Sequence, residues 1–169
     1  MRFAIREAAL GDAHGIARAH TASWQSSYRG ILPDAILDRI DVGQRASTRR
    51  QILRDRSVLS LVAFDITHQD IVGFCDAGPA RRSELAAGEL YAIYLVHHAK
   101  RHGIGQEMID RVIAWLRASG MGSMVIWVLE HNAHARGFYE AMGGRLASRL
   151  NTTVGGFPVV EVAYVWDRL

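Results

Sequence analysis

The sequence predicts a single α/β domain, residues 1–169, in which helices flank a mixed β-sheet. Seven short segments are rich in β-branched and aromatic residues, and segments with helical periodicity lie between them in an irregular order. No linker, repeat or low-complexity tract interrupts the chain, which contains only three prolines. A chain of this length buries roughly 70% of its unfolded surface, so one hydrophobic core should stabilise it without a metal or a disulfide.

The N-terminal part of the chain combines one strand with three helices. Apolar and polar residues alternate over 3–7, which is typical of a half-buried strand. A helix follows over 12–28, with Asp12 as its N-cap. Residues 33–40 begin with Pro-Asp and predict a short helix, and an arginine-rich helix covers 43–54.

The middle of the chain predicts three strands and an amphipathic helix. Strands over 58–65 and 71–78 are separated by the polar turn at 67–70, which favours a hairpin. A polar loop leads to a third strand over 89–96. Apolar residues then recur at nearly helical spacing over 106–119, so this helix should lie on the sheet.

The C-terminal part predicts strand, helix and two further strands. The strand covers 124–130, and the helix over 132–142 is stopped by two consecutive glycines. Two last strands are expected near 145–150 and 159–165. The predicted order is therefore β, three helices, β, β, β, α, β, α, β, β.

Composition and charge exclude several classes of protein. No apolar run approaches the roughly 20 residues of a membrane-spanning helix, and the N-terminus does not resemble a signal peptide, so we expect a cytoplasmic protein with no membrane partner. The single cysteine, Cys75, lies in an apolar run, which favours a packed thiol. The net charge of +3 is spread along the chain, which favours a solvated surface over a nucleic-acid site. The eight histidines lack metal-ligand spacing, so no metal is expected.

The segment Glu89–Gly105, ELYAIYLVHHAKRHGIG, carries the strongest functional signal. A β-prone strand ends in a loop with three basic residues, and Gly103 and Gly105 then stand at the start of a helix, where backbone N–H groups bind anions. A P-loop is excluded because Gln106 follows the second glycine, and a dinucleotide fingerprint would need glycine or alanine where Met108 stands. A simple tight turn before a helix is the remaining alternative.

Two motifs of the chain resemble the GNAT acetyltransferase superfamily. Its acyl-CoA motif is a strand followed by Gln or Arg, two residues, Gly, one residue, and Gly or Ala; Lys100–Gly105 has this spacing with lysine in the first position. The segment Trp127–Gly144, WVLEHNAHARGFYEAMGG, is similar to the strand and helix that complete the cofactor site. The resemblance implies a GNAT-like domain over residues 1–169, with a mixed, mostly antiparallel sheet of about seven strands flanked by helices.

The resemblance also implies acetyl-CoA as the cosubstrate. Asn132 would contact the pantetheine arm, and Tyr139 would face the thioester sulfur from the same side of the helix, seven positions further on. The implied contacts with the cofactor are made by Tyr94, Leu95, Val96, Lys100, Arg101, His102, Gly103, Ile104, Gly105, Gln106, Asn132 and Tyr139.

The implied chemistry is direct transfer of an acetyl group to an amine. The amine must be neutral when it attacks, which costs a lysine-like amine about 4.6 kcal/mol at pH 7. Glu89 matches a position that often holds a carboxylate acting as the base, and its alternative is a solvated residue at a strand end. Tyr139 is the candidate acid for the leaving thiolate. A main-chain N–H within 94–96 would bind the acetyl carbonyl.

The acceptor is expected to be a primary amine of a small molecule or a peptide. Its hypothetical contacts are Trp24, Tyr28 and Tyr91, together with Arg81 and Arg82. Two other functions stay open at this point: a non-catalytic acyl-CoA binding or sensing module, and a nucleic-acid-binding protein. The superfamily frequently dimerises, which leaves a homodimer open as well.

Overall fold

The computed structural model describes residues 2–169, and Met1 lies outside the described part. Its strands are β1 (Phe3–Glu7), β2 (Leu59–Asp65), β3 (Asp70–Pro79), β4 (Gly88–Leu95), β5 (Met124–Leu129), β6 (Arg145–Val154) and β7 (Phe157–Trp166). Its α-helices are α1 (Ala13–Tyr28), α2 (Asp34–Asp38), α3 (Val42–Ile52), α4 (Ile104–Ala118) and α5 (Ala133–Ala141). Short 3₁₀ turns at Leu10–Asp12 and His97–Ala99 precede α1 and α4.

All seven strands form one sheet in the order β1-β2-β3-β4-β5-β7-β6. Every neighbouring pair is antiparallel except β4 and β5, which run parallel. The predicted mixed, mostly antiparallel sheet of about seven strands with flanking helices is therefore confirmed. The parallel pair follows from the connection between its strands, because the crossover helix α4 returns the chain to the same end of the sheet.

The parallel pair separates soon after it begins. Only two residue pairs join the strands, Gly88 with Met124 and Glu89 with Val125. Beyond them the remaining part of β4, 90–95, diverges from 126–129 of β5. We call this gap the β4–β5 opening. It leaves the backbone groups on the facing edges of the two strands without a strand partner.

Helices cover both faces of the sheet. On one face, Met108, Val112 and Leu116 of α4 pack in the main core with Leu61 of β2. On the other face, α1 packs against a separate cluster that includes Val62. Neighbouring side chains of a strand point to opposite faces, so the two clusters lie on opposite sides. We call these sides the α4 face and the α1 face.

The element boundaries agree closely with the sequence prediction, with two corrections. Asp12 does not cap α1 with its side chain; its carboxylate instead accepts hydrogen bonds from the Ala9 N–H at 2.7 Å and from Arg6. The last hairpin is longer than predicted, because β6 and β7 continue to a two-residue turn at Gly155-Gly156. Both glycines have positive φ, 56° and 82°, as a tight hairpin turn of this kind requires.

Among the helices of residues 2–169, none combines the length and the apolar character needed to cross a membrane.

Candidate active site

The loop between β4 and α4 presents the start of a helix at the end of the β4–β5 opening. Gly103 caps α4 with φ of 78°, a conformation that glycine adopts at little cost, and Arg101 also has positive φ, 63°. The first bond of the helix runs from the Glu107 N–H to the Gly103 carbonyl at 3.0 Å. The N–H groups of Ile104, Gly105 and Gln106 therefore precede the helical bonds and are available to an anion.

The side chains around this helix start do different things. Lys100, Arg101, His102 and Gln106 are exposed. Lys100 reaches α1, where its Nζ lies 3.3 Å from the hydroxyl of Ser27, and the partial loss of solvent around its ammonium group lowers its pKa. The absence of a side chain at Gly105 has a packing reason, since a Cβ atom there would lie 3.2 Å from the Phe138 ring. Glycine at 105 therefore allows close contact with α5, and glycine at 103 allows the left-handed backbone geometry.

Of the three main-chain N–H groups of residues 94–96, one of which is predicted to bind the acetyl carbonyl, only one is free of the sheet. The Val96 N–H donates to the Val72 carbonyl of β3 at 2.9 Å, so it is not available to a ligand. Tyr94 also pairs with β3, opposite Phe74. Because successive N–H groups of a strand point to opposite sides, the Leu95 N–H points away from β3 and into the β4–β5 opening.

Tyr139 lies on the α4 face, on helix α5. It is buried among aromatic rings, with centroids 5.6 Å from Phe138, 6.0 Å from Tyr164 and 6.4 Å from Trp166. Burial raises its pKa above the usual value, so the phenol keeps its proton at neutral pH. Asn132 is the N-cap of the same helix; its side chain accepts a hydrogen bond from the Ala135 N–H at 3.2 Å.

A pocket of about 420 Å³ opens on the α1 face, at the β4–β5 opening. Its lining residues are Trp24, Tyr28, Arg81, Arg82, Glu89, Tyr91, Tyr94, Trp127, Val128, Leu129, Val154 and Glu161. All five residues named from the sequence as hypothetical acceptor contacts belong to this set. The pocket and the helix start of α4 thus adjoin the same gap in the sheet.

Glu89 lines the pocket but is held in place by one arginine. The Arg81 N–H donates to its Oε2 at 2.9 Å, and the Arg81 guanidinium donates to Oε1 with its Nε, at 3.0 Å, and with a terminal nitrogen. Glu89 is 1% exposed. Both carboxylate oxygens are therefore occupied, a feature that the sequence did not indicate, and the role of Glu89 as a base stays a prediction.

Sequence reasoning missed Glu161 and Trp127 of the pocket. Glu161 lies on β7 next to Leu129 of β5, half-buried, and burial raises its pKa; the guanidinium groups of Arg82 and Arg81 offset part of this rise. Arg82 stacks over the Trp127 ring at 5.2 Å. A signal was present, since Glu161 is the single charged residue of the strand FPVVEVAYVW.

The aromatic wall of the pocket continues into a buried cluster around His20. The Tyr28 and Tyr94 hydroxyls lie 3.1 Å apart, and the His20 ring packs 4.9 Å from Tyr94 and 5.7 Å from Trp24. Burial, with smaller contributions from two nearby arginines, lowers the pKa of His20 to about 3. His20 is therefore neutral at physiological pH, and it supports the wall without carrying charge.

The lowered pKa of the partly buried His20 predicts a specific pH dependence of stability. Unfolded His20 binds a proton near pH 6.5 and folded His20 does not until about pH 3, so its contribution is complete above pH 6.5 and is lost as pH falls. We expect the contribution of His20 to the free energy of unfolding to fall by about 2 kcal/mol between pH 7 and pH 5, which is the difference in pH dependence between the wild type and His20→Gln. Urea unfolding of the wild type and of His20→Gln at both pH values measures it. An identical pH dependence of both proteins would contradict the prediction.

Comparison with known proteins identifies the family. Residues 18–144 match the profile of the acetyltransferase (GNAT) family. The chain is 30% identical over 166 residues to the uncharacterized N-acetyltransferase YuaI of Bacillus subtilis, covering 98% of this chain and 93% of that protein. It is also 30% identical to the probable N-acetyltransferase Rv2775 of Mycobacterium tuberculosis, over 95% and 91% of the two chains.

A solved structure with the same fold is that of the PaiA N-acetyltransferase from Thermoplasma acidophilum in complex with coenzyme A. It superposes with a TM-score of 0.72 at 18% identity, over 95% of this chain and 98% of that one. The family profile, the two sequence relatives and the shared fold agree with one another. The chain therefore belongs to the GNAT acetyltransferase family and is an acyltransferase that transfers acetyl groups.

Proposed function

We propose that the protein moves an acetyl group directly from acetyl-CoA to a primary amine of a small molecule or a peptide. The observation that carries this proposal is the β4–β5 opening. The anion-binding start of α4 lies at its end, and the pocket of about 420 Å³ adjoins it on the α1 face. A thioester in the gap would reach an amine in the pocket without a covalent enzyme intermediate.

The residues at the helix start fit the pyrophosphate of CoA. The N–H groups of residues 104–106 would bind its oxygens, and the exposed basic side chains of Lys100, Arg101 and His102 would add positive charge around them. The pantetheine arm would then follow the β4–β5 opening. Along this path the side-chain amide of Asn132 still has its N–H groups to donate, because only its oxygen is used in capping α5.

The chemistry requires a donor for the carbonyl and an acid for the leaving group. The Leu95 N–H would bind the acetyl oxygen and stabilise the negative charge that develops there during attack. Tyr139, which is held protonated by burial, would donate its hydroxyl proton to the CoA thiolate. The size of the pocket falls in the range of small-molecule sites, about 300–1,000 Å³, which fits one amine and part of its carrier.

The test is a turnover assay that follows release of the free CoA thiol. The acceptor panel contains lysine, spermidine, kanamycin, benzylamine and a tetrapeptide with a free N-terminus. We expect at least one amine to raise thiol release well above the rate of acetyl-CoA hydrolysis, with the acetylated amine identified by mass spectrometry. Thermal stabilisation by acetyl-CoA without stimulation by any amine would support the alternative of a non-catalytic acyl-CoA binding module.

A further inference from the structure

Glu161 is the acidic group of the pocket that forms no salt bridge within the described part of the chain, whereas Glu89 pairs with Arg81. It stands in the middle of β7, between Val160 and Val162, and its side chain is half-buried on the α1 face. Strand alternation supports this placement, because Val162 belongs to the core on the opposite, α4 face. Its neighbour across the strand pair is Leu129 of β5, at the edge of the β4–β5 opening.

The other buried carboxylates of the sheet are each held by an arginine. Asp65 pairs with Arg2, Asp76 with Arg49, and Glu89 with Arg81. Within residues 2–169, Glu161 forms neither an ion pair nor a side-chain hydrogen bond. The arginines nearest to it are already engaged, Arg81 with Glu89 and Arg82 over the ring of Trp127.

A half-buried carboxylate that forms no ion pair or hydrogen bond lowers the stability of the protein, unless a ligand supplies a cation. The walls around it are aromatic, since Trp24, Tyr28, Tyr91 and Trp127 all line the same pocket. Arginine side chains already stack over three of these rings, those of Trp24, Tyr91 and Trp127, which shows that the wall accommodates cations. A protonated primary amine therefore fits the carboxylate that forms no ion pair and the aromatic surroundings of the pocket.

We propose that Glu161 binds the ammonium group of the acceptor and removes its proton before the amine attacks the thioester. This inference rests on the proposed transfer from acetyl-CoA to an amine and names the residue that receives the acceptor. It gives the proton-accepting role to the free carboxylate of the pocket. Glu89 then serves to hold Arg81 at the rim, since both of its oxygens are taken.

The proposed step balances as follows. The ammonium gives one proton to the Glu161 carboxylate, and the neutral nitrogen attacks the acetyl carbonyl. The new C–N bond forms as the C–S bond breaks, and the CoA thiolate takes a proton from Tyr139. The second proton of the nitrogen passes through water to the Tyr139 phenolate, and Glu161 loses its proton to water, so one proton is released in total. Burial raises the pKa of Glu161, which makes it a stronger base than an exposed glutamate.

The positions of Tyr139 and Glu161 fit their separate roles as acid and base. Tyr139 lies on the α4 face and Glu161 on the α1 face, with the β4–β5 opening between them. The charged and titratable groups that face Glu161 are Glu89, Arg81, Arg82 and Tyr94. Burial raises the pKa of Tyr94, so its hydroxyl keeps its proton at neutral pH, and the Arg81 guanidinium is held by Glu89.

The kinetic test compares Glu161→Gln with Glu89→Gln and with Glu84→Gln. The last is a matched control, because Glu84 is an exposed loop residue outside the pocket lining. With the fastest amine of the panel, we expect Glu161→Gln to lower kcat/KM at pH 7 at least about tenfold. Glu84→Gln should stay within about twofold of the wild type, and thermal stabilisation by acetyl-CoA should be unchanged in both.

The pH profile separates a base from a residue that only supports the pocket. Without Glu161, only amine that is already neutral can react, so log kcat/KM should rise by one per pH unit until the amine itself titrates. The wild type should instead be nearly flat over the same range. The ratio of the wild-type kcat/KM to that of Glu161→Gln should therefore fall about tenfold per pH unit. A deficit that is constant with pH overturns the proton-transfer role, as does this pH signature in Glu89→Gln.

A binding measurement tests ammonium recognition without catalysis. Benzylamine and the neutral benzyl alcohol are titrated calorimetrically into the CoA-saturated protein. We expect the wild type to bind benzylamine at least about tenfold more tightly than benzyl alcohol, and Glu161→Gln to lose this preference. Equal affinity of the wild type for both compounds overturns the inference. A preference for benzylamine with no turnover of any amine overturns only the proposed acetyl transfer and keeps the ammonium site.

Discussion

Replacing Arg49 with methionine is expected to lower the free energy of unfolding by about 3–5 kcal/mol, because it leaves the Asp76 carboxylate buried without its counterion. Arg49 and Asp76 are 5% and 4% exposed, and their closest nitrogen and oxygen lie 2.5 Å apart. The Ser60 hydroxyl donates to the second carboxylate oxygen at 2.6 Å. The guanidinium also covers the Phe74 ring at 4.4 Å. Urea unfolding followed by tryptophan fluorescence measures the loss.

The neighbouring arginine offers a matched control for this pair. Arg50 lies one position further along α3 and is exposed, so Arg50→Met should change the free energy of unfolding by less than about 0.5 kcal/mol. Adding Asp76→Leu to Arg49→Met should recover much of the lost stability, since no charge is then left buried. A loss below about 1 kcal/mol for Arg49→Met alone would show that the pair contributes little to the fold.

This ion pair also changes how the arginines of α3 are interpreted. In the sequence they resemble a basic surface that could attract phosphates. In the structure, Arg49 forms an ion pair with Asp76, and Arg45 stacks over the Trp24 ring at 4.7 Å. These two side chains fix α3 to the sheet and to α1, behind the aromatic wall of the pocket. Their function is therefore structural, and it reaches the acceptor side through the position of Trp24.

The fold was largely predictable because its signals are local. Alternating strands, glycine stops and polar turns are read from a few adjacent residues, and β1 has the predicted bounds, Phe3–Glu7. The last hairpin was underestimated because Pro158 and the polar residues before it interrupt the apolar pattern. Pairing across the hairpin nevertheless reaches Val154 and Phe157, where Gly155-Gly156 closes the turn.

The segments that form the candidate site were easier to locate from the sequence where their residues are contiguous than where they line the pocket. The glycines of the β4–α4 loop and the residues of α5 come from contiguous motifs, whereas the pocket collects residues from α1, β4, β5, β6 and β7. The partner of Glu89 is fixed by the path of the loop that carries Arg81, and the lack of a partner for Glu161 is fixed by packing. Neither property is encoded in sequence spacing. Which of the two glutamates has a free carboxylate could therefore be judged only from the three-dimensional structure.

Replacing Tyr139 with phenylalanine is expected to lower kcat about 100-fold, the lower end of the range for loss of a general acid. The change removes one oxygen atom and keeps the ring that packs against Tyr164 and Trp166, so the fold and the cofactor path should be retained. The loss should appear in kcat, with the KM for acetyl-CoA and its thermal stabilisation nearly unchanged. Stopped assays of thiol release at saturating acetyl-CoA measure it.

Tyr164→Phe is the matched control for this change. Its ring centroid lies 6.0 Å from that of Tyr139, but its hydroxyl is engaged by Arg136, whose Nε donates to it at 3.0 Å, and by the carboxylate of Glu140. We therefore expect Tyr164→Phe to cost about 1 kcal/mol of stability and to leave kcat within about twofold. The same loss of kcat in both variants would mean that packing of the aromatic cluster, and not the Tyr139 hydroxyl, limits turnover. A loss confined to Tyr139→Phe would show that the Tyr139 hydroxyl, on the α4 face, supplies the proton to the departing thiolate.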